Sequence, residues 1–392
     1  MLWYPGHELL LTEMVRAENC YLYDSQGKRY LDLESGVWCT SIGHGHPEVL
    51  RVIREQSACL GHTGFCYSSQ VVEEAAQEIL ALLGFSGGKC VFLCSGSEAV
   101  EYGVRVAQSL IERPLLLTMA GSYFGAYGSA HSQRADQFFA FDWEACPACR
   151  LPGECSQACA HWAAIPYDAI GGLLFEPGSS AGLVRFPPAG LIRSMVAKIR
   201  SDHGLILVNE VTTGVGRTGA WFGYQHYGIA PDVVAMGKGI GNGYPVSVTA
   251  FAPGIVNRLG QEPVRYSQSH QNDPLGAAVA RKVLEIMKRD GLIARGRRVG
   301  EMLLAGLEHI KGRTGHIAEI RARGLMVAVE LDGDKEGQFA SEVHRRLFHR
   351  GYILGKRPGT NVLRLDPSLT IAEQDIQAFL DAFEAVLSGQ EN

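Results

Sequence analysis

Short apolar runs alternate with helical patterns between about residue 45 and residue 275. Six of these runs are dense enough in aliphatic residues to predict buried strands. They are residues 91–94, 115–118, 172–176, 205–210, 233–236 and 246–251. This rhythm is typical of a mostly parallel sheet with helices on both faces. We therefore predict a large α/β domain over residues 45–275.

The two ends of the chain follow a different pattern. Residues 20–33 alternate around Asp24-Ser25-Gln26-Gly27, which predicts a β-hairpin. The last part of the chain predicts, in order, a long helix, two strands and a terminal helix. These cover residues 276–310, 325–331, 362–365 and 371–387. We therefore predict a smaller α+β domain built from residues 1–44 and 276–392.

Composition narrows the class of protein. Hydrophobic residues make up 46% of the 392 residues and charged residues 20%, which is typical of a globular protein with a large core. The net charge of -5 argues against a nucleic-acid-binding surface. No apolar stretch approaches the roughly 20 residues of a membrane span, and residues 1–8 do not resemble a secretory signal. We expect a cytoplasmic enzyme that binds neither nucleic acid nor membrane, with reduced cysteines.

Polar or aromatic residues follow several of the predicted strands. They are Ser97, Tyr123, Glu176, Asn209 and Lys238. Ligands of open α/β sheets bind outside the carboxyl ends of the strands, so we expect these side chains to line one site. Lys238 stands between Gly237 and Gly239 at the edge of the core. An isolated lysine there is usually a surface residue, but desolvation disfavours its charged form and can make the amine a nucleophile for carbonyls.

Two further segments suggest parts of a ligand site, each weakly when taken alone. Residues 94–101, Cys-Ser-Gly-Ser-Glu-Ala-Val-Glu, follow a strand and open a helix, where backbone N–H groups and the helix dipole favour a phosphate. Residues 121–125 hold Tyr123 and Phe124 between glycines, and this aromatic pair could stack on a flat ring or could belong to the core.

Together these segments resemble the class III aminotransferases, which are fold type I enzymes that depend on pyridoxal 5′-phosphate (PLP). The most specific matches are residues 209–219, Asn-Glu-Val-Thr-Thr-Gly-Val-Gly-Arg-Thr-Gly, and residues 237–245. The resemblance extends from residues 43–47 to residues 363–369. It implies an enzyme that moves an amino group from an amine or amino acid to a 2-oxo acid.

The resemblance also implies the residues that surround the cofactor. Lys238 matches the Schiff-base lysine, which also shuttles the proton during the reaction. The other matches are Gly96 and Ser97 at the phosphate, Tyr123 and Val211 on the two faces of the ring, Asn209 at the ring nitrogen, Thr212 at the 3′ oxygen, and Ser269 at the phosphate of a partner subunit. Ser269 therefore implies a homodimer with shared active sites.

Three residues match positions that contact the substrate. Arg364 matches the arginine that binds the substrate carboxylate, although a structural ion pair is an alternative role. Glu176 matches a glutamate that pairs with this arginine when the substrate has no carboxylate. Trp38 lies in a segment that lines the substrate entrance.

Two residues depart from the family pattern. Asn209 stands where the family has an aspartate, and Thr212 stands where many members have a glutamine. A neutral amide cannot hold the ring nitrogen protonated by charge, so the ring becomes a weaker electron sink. A charge-assisted hydrogen bond worth roughly 1.5–3 kcal/mol becomes an ordinary one of about 1. Other PLP reactions therefore stay open, namely those of a lyase, an aminomutase or an epimerase, as does a cofactor-binding protein with little turnover.

A cysteine-rich segment interrupts the α/β pattern. Cys146, Cys149, Cys155 and Cys159 lie within 14 residues and could form a tetrahedral zinc site. Their spacing, C-x2-C-x5-C-x3-C, is not a common zinc pattern. We predict reduced thiols and no metal.

Overall fold

The computed structural model describes residues 9–11, 13–64, 66–146, 149, 155–260, 264–333 and 336–389. The strands are β1 (Met14–Glu18), β2 (Tyr21–Asp24), β3 (Arg29–Asp32), β4 (Lys89–Leu93), β5 (Leu115–Met119), β6 (Phe138–Phe141), β7 (Ile170–Phe175), β8 (Leu205–Asn209), β9 (Val233–Met236), β10 (Ser247–Phe251), β11 (Ile317–Arg323), β12 (Met326–Leu331), β13 (Tyr352–Ile353), β14 (Gly355–Lys356) and β15 (Val362–Leu365). The helices are α1 (Ser35–Trp38), α2 (Pro47–Leu60), α3 (Gln70–Leu83), α4 (Gly96–Leu110), α5 (Ser129–Ser132), α6 (Ala160–Ala163), α7 (Ala189–Ser201), α8 (Pro253–Leu259), α9 (Pro274–Arg289), α10 (Leu292–Thr314), α11 (Gln338–His349) and α12 (Glu373–Leu387).

Seven strands form the central sheet, in the order β4-β10-β9-β8-β7-β5-β6. Strand β10 runs antiparallel to its neighbours β4 and β9, and the remaining pairs are parallel. The six predicted strands are all present, and the prediction of a mostly parallel sheet is confirmed. Strand β6 was not predicted, because it is a short edge strand inside the irregular stretch that precedes the cysteines.

Successive residues of the central strands point to opposite faces of the sheet, and both faces are covered. In β8, Leu205 and Leu207 pack in the cluster that includes α4, whereas Ile206 and Val208 pack in the cluster that includes α7. All five residues of β8 are buried. Burial on both faces explains why these strands are continuous apolar runs rather than alternating ones.

Two smaller four-stranded sheets are built from the ends of the chain. Their strand orders are β1-β2-β3-β13 and β11-β12-β15-β14. The predicted hairpin is present as the antiparallel pair β2 and β3. Strand β13 then pairs in parallel with β3, with Tyr352 opposite Leu31, so segments from both ends of the chain share one sheet. The predicted boundaries at residues 44 and 275 stay a prediction.

The single helix predicted over residues 276–310 is wrong. The structure has two helices there, α9 and α10, which are separated at Asp290 and Gly291. Gly291 has a φ of 60°, in the left-handed region that a right-handed helix cannot continue through. In the part of the chain that the structure describes, no helix has the length and apolar character needed to cross a bilayer.

Candidate active site

A cavity of about 160 Å³ opens where the central strands end and α4 begins. Its lining residues are Gly96, Ser97, Val100, Tyr123, Phe124, Gly125, Ser180, Asn209, Val211, Thr212 and Lys238. The predicted cofactor-binding residues therefore come together at one edge of the sheet, with the exception of Ser269. They do so because β4, β5, β8 and β9 end at this edge and each is followed by one of the predicted segments.

Lys238 brings an amine to the floor of this cavity. It begins the 3-10 turn Lys238–Gly241 directly after β9 and has a φ of 47°. Its Nζ donates a hydrogen bond to Oγ1 of Thr212 at 3.0 Å. Burial lowers the pKa of Lys238, and the attraction of Cys39 and Glu176 offsets this only partly. The neutral amine is thus favoured more than in an exposed lysine, which suits a nucleophile.

The start of α4 forms one end of the cavity, and a helix N-terminus is suited to an anion. Ser95 caps the helix in a capping box: its Oγ accepts the N–H of Glu98, and the Glu98 carboxylate accepts the N–H of Ser95 at 2.8 Å. The N–H groups of Gly96 and Ser97 lie in the first turn, where no carbonyl within the helix can accept them. Residue 96 is glycine because a Cβ there would lie 2.5 Å from Cγ1 of Val211.

The main chain of Tyr123 is held between two polar side chains from neighbouring strands. Its N–H donates to Oε2 of Glu176 at 2.9 Å, and its carbonyl accepts Nδ2 of Asn209 at 3.0 Å. Oδ1 of Asn209 accepts the N–H of Val211 at 3.1 Å. A carbonyl only accepts and an N–H only donates, so these contacts fix which end of the Asn209 amide faces which neighbour.

Glu176 does not pair with Arg364, and the predicted pair is wrong. Its buried carboxylate accepts hydrogen bonds from the N–H of Tyr123 and from the N–H and Oγ of Ser180, the last two at 3.1 and 2.5 Å. Burial raises the pKa of Glu176 to about 7. One donor from the segment after β5 and two from the turn after β7 engage this carboxylate, which leaves Arg364 to another partner.

Arg364 pairs instead with Glu34. Its Nη2 lies 2.8 Å from Oε1 of Glu34, and both side chains are largely buried. The guanidinium carbon lies 4.1 Å from the ring centre of Trp38, and Nζ of Lys238 lies 5.2 Å from the same ring. The predicted substrate residues Trp38 and Arg364 are therefore neighbours of Lys238. Sequence reasoning missed Glu34, since nothing in its local pattern indicates a partner 330 positions away.

A strained turn sets the position of Trp38. The four residues of α1 have φ values of 44°, 56°, 59° and 65°, so the turn is left-handed. For residues with a side chain this conformation costs roughly 1–2 kcal/mol each. Ser35 anchors the turn, because its Oγ donates to the carbonyl of Asp366 at 2.5 Å and accepts Nη2 of Arg217 at 3.0 Å.

Ser269 is exposed and does not line the cavity, so its predicted contact with a partner subunit stays a prediction.

Four residues after Ser269, Asp273 accepts hydrogen bonds from Nδ1 of both His62 and His270 at 2.6 Å. Within the described ranges, these three residues form the group whose ligand atoms come close enough to hold a metal ion. The four clustered cysteines are free thiols and, in the same ranges, do not form such a group.

The chain is similar to known proteins over most of its length. The family model described as aminotransferase class-III matches residues 4–387. An acetylornithine aminotransferase from Streptomyces coelicolor is 30% identical over 388 residues, which cover 95% of this chain and 90% of that protein. A leucine/methionine racemase from Thermococcus litoralis is 28% identical over 406 residues, covering 96% of this chain and 90% of that protein.

The fold also matches solved structures. An amine transaminase from an uncultivated Pseudomonas species, solved in its PLP-bound form, superposes with a TM-score of 0.88 at 24% identity. The match covers 100% of this chain and 99% of that structure. The fold is therefore that of the fold type I, PLP-dependent transaminases.

Proposed function

Because the chain belongs to the class III aminotransferases, which use PLP to move an amino group from an amine or amino acid to a 2-oxo acid, we propose how its own residues divide this reaction. Lys238 holds the cofactor and moves the proton, the start of α4 holds the phosphate, and Arg364 binds the substrate carboxylate. The observation that carries the proposal is the convergence of a desolvated amine, a helix N-terminus and the Asn209 amide on one cavity.

The lining fits a flat anionic cofactor. The first turn of α4 offers unpaired N–H groups at one end, and Gly96 keeps that turn free of a side chain that would collide with Val211. Val211 and Tyr123 line the cavity and could cover the two faces of a ring. When bound, PLP supplies an aldehyde that takes up the amino group and a conjugated ring that withdraws electrons from the bond that breaks.

Lys238 would serve first as an amine and then as a base. Burial favours its neutral form, which is the form that attacks a carbonyl and accepts a proton. Thr212 accepts a hydrogen bond from Nζ and so orients the lone pair of the amine. We assign Thr212 this role in addition to contact with the 3′ oxygen of the cofactor.

Asn209 and Glu176 would set the position of the ring indirectly, through the main chain of Tyr123. Both hold the main chain of Tyr123, so they fix the segment whose side chain stands at the rim of the cavity. Nδ2 of Asn209 uses one of its two hydrogens on the Tyr123 carbonyl, and the second is left to donate to the ring nitrogen. An amide that donates leaves that nitrogen unprotonated, in contrast to an aspartate.

Arg364 would bind the carboxylate of an amino acid or a 2-oxo acid. A guanidinium donates two parallel hydrogen bonds to a carboxylate in a planar fork, a geometry that a lysine does not match. The indole of Trp38 lies against both Arg364 and Lys238, so it would space the carboxylate from the reacting carbon.

We propose that the enzyme is a cytoplasmic homodimer with shared active sites. The exposed position of Ser269 supports a contact outside its own cavity, and the globular composition supports the location. Sedimentation equilibrium should give about twice the chain mass of 42.6 kDa. A single-chain mass for the PLP-loaded enzyme would rule out the shared site.

Single-turnover formation of pyridoxamine phosphate tests the reaction itself. The PLP-loaded enzyme, mixed with a panel of amines and amino acids, should convert its cofactor to pyridoxamine phosphate and return it on addition of a 2-oxo acid. A racemised amino acid or released ammonia without pyridoxamine phosphate would instead indicate an epimerase or a lyase. The family match and the aminotransferase relatives favour the first outcome.

A further inference from the structure

We infer that His62, His270 and Asp273 form a binding site for a divalent transition-metal ion, and that Zn²⁺ is the ion that suits their donors best. All three differ from the residues that line the cofactor cavity. The site therefore goes beyond the proposed transamination and does not depend on it.

Asp273 is the centre of this group. Its Oδ1 lies 2.6 Å from Nδ1 of His62, and its Oδ2 lies 2.6 Å from Nδ1 of His270. The ligand atoms of the three residues all lie within 4.8 Å of one another. Ligands at about 2.0–2.2 Å from a tetrahedral zinc ion are roughly 3.4 Å apart, so small side-chain movements would close this group around an ion.

Two imidazoles, rather than a lysine or an arginine, face the carboxylate of Asp273. Asp273 is the N-cap residue of α9, yet its side chain makes no capping hydrogen bond. Across the described parts of the chain, its ion pairs are those with the two histidines. The side chain is only 14% exposed. A largely buried carboxylate without a fixed cation is a position at which a metal ion supplies the missing charge.

The two histidines leave the group open to solvent. The side chains of His62 and His270 are 48% and 58% exposed, so both rings can adjust to an ion. His270 and Asp273 also line a cavity of about 170 Å³ beside Cys94 and Tyr244, which has room for water. An ion can therefore enter from solvent and complete its coordination with water. We expect an exchangeable site that is empty after purification in a chelating buffer.

The donor set selects the class of ion. Imidazole nitrogen suits Zn²⁺, Cu²⁺ and Ni²⁺, whereas Mg²⁺ and Ca²⁺ prefer ligands that are all oxygen. Two histidines and one carboxylate are a known ligand set of zinc, with water in the fourth position. We therefore expect Zn²⁺ to bind, and we expect Mg²⁺ not to compete with it.

A bound ion would join segments that are far apart along the chain. His62 follows α2, whereas His270 and Asp273 lie just before α9. The N–H of His270 donates to Oε1 of Gln268, and Nε2 of Gln268 donates to Oε1 of Glu98 at 3.1 Å. Glu98 belongs to the capping box of α4. Zinc would therefore hold the segment that supports the start of this helix, and it should raise the midpoint of thermal unfolding.

Calorimetric titration with zinc chloride tests the site on the PLP-loaded enzyme, without a histidine tag and freed of metal by a chelator. The wild type should bind about one Zn²⁺ per chain. Asp273→Asn and His270→Gln keep the approximate size of each side chain but remove a ligand. Each should weaken binding by about 100-fold or more, since changes outside the ligands already cost about 10–100-fold. An excess of magnesium chloride should leave zinc binding unchanged.

Two further variants control the experiment. His309 is exposed on α10, so His309→Ala removes an imidazole without touching the group. Cys146→Ser removes one of the four clustered thiols, which are a second set of side chains with an affinity for Zn²⁺. Both variants should bind Zn²⁺ as the wild type does. The absorbance of bound PLP shows that each variant is folded.

The pattern of losses decides the question. Binding that persists at full strength in Asp273→Asn, or that is lost in Cys146→Ser, overturns the inference. A wild type that binds no Zn²⁺ overturns it as well, because the three residues would then form hydrogen bonds alone. Failure of the proposed function is a separate result, which the formation of pyridoxamine phosphate tests without zinc.

Discussion

The side-chain amide of Asn209 donates a hydrogen bond to the main-chain carbonyl of Tyr123 at 3.0 Å. The same amide accepts the N–H of Val211, so both of its ends contact the main chain and one of the two Nδ2 hydrogens takes no part in these contacts. Aspartate at this position would keep the contact with Val211 and would turn an oxygen toward the Tyr123 carbonyl. Asparagine is therefore part of how the cavity is held together, in addition to its proposed place at the ring nitrogen.

Asn209→Asp should have opposite effects on rate and on stability. A carboxylate would hold the ring nitrogen protonated, so single-turnover formation of pyridoxamine phosphate should be at least ~10-fold faster. This corresponds to an activation free energy that is lower by ~1.4 kcal/mol. The lost contact with Tyr123 should lower the free energy of unfolding of the apoenzyme by about 1–2 kcal/mol in urea. Asn257→Asp makes the same charge change on the exposed face of α8 and serves as the control. Equal rates in wild type and Asn209→Asp would contradict the assignment of Asn209.

Lys238→Ala should abolish the visible absorption band of the lysine-bound cofactor while the circular dichroism spectrum is retained. The physical reason is that the partly buried amine in the cavity is lost. Lys356→Ala is a matched control, because burial also lowers the pKa of Lys356 but this residue lies in β14 outside the cavity lining. If the band persists in Lys238→Ala and borohydride still attaches the cofactor covalently to the chain, another residue binds the cofactor.

Glu176 should make the apoenzyme less stable as the pH rises. Burial raises its pKa from 4.5 to about 7, so between these values the folded state holds a proton that the unfolded state has lost. Its contribution to stability is complete below about pH 4.5 and is lost as the pH rises through about 7. Across this pH window, the free energy of unfolding of the wild type in urea should therefore fall by on the order of 2–3 kcal/mol relative to that of Glu176→Gln.

The comparison uses the apoenzyme, so that the cofactor does not alter the surroundings of Glu176. Glu342→Gln on the surface provides the reference for the loss of a carboxylate. A difference between wild type and Glu176→Gln that is constant, or that grows in favour of the wild type with rising pH, would mean that this carboxylate is charged in the folded protein.

Cys146, Cys149, Cys155 and Cys159 should be thiols without a metal ion. Burial and the neighbouring cysteines raise the pKa of Cys146 to about 11, which keeps its thiol protonated at neutral pH. Elemental analysis of the purified enzyme should find less than about one tenth of an equivalent of zinc or iron, because the spacing C-x2-C-x5-C-x3-C is not a common zinc pattern. Near-stoichiometric metal that is lost in Cys146→Ser would show that the segment forms a metal site.

The convergence of the predicted cofactor residues on one cavity is the part of the site that the sequence predicts well. Lys238 and Asn209 each lie at the end of a buried run. A parallel sheet brings such positions to one edge independently of the conformation of the loops. The family pattern then gives Gly96, Val211 and Thr212, and the cavity contains all of them.

The contacts of the substrate end could not be predicted from local pattern. Glu34 and Arg364 meet only because the two ends of the chain fold onto each other, and their separation along the sequence carries no signal. The sequence predicts the wrong partner for Glu176, because nothing in its local pattern indicates that Ser180, four residues later, supplies two donors. The left-handed conformation of α1 is equally hidden, since only one of its four residues is glycine.

The pairing of β13 with β3 has a consequence for how the enzyme folds. Every strand of the central sheet lies between residues 89 and 251, so the sheet that carries the cavity comes from one continuous stretch of the chain. The partner of β3 and the guanidinium beside Trp38 come from residues 352–364, which follow β3 by more than 300 positions. Contacts between positions so far apart form slowly, so we expect the central sheet to be in place before the proposed carboxylate site is complete.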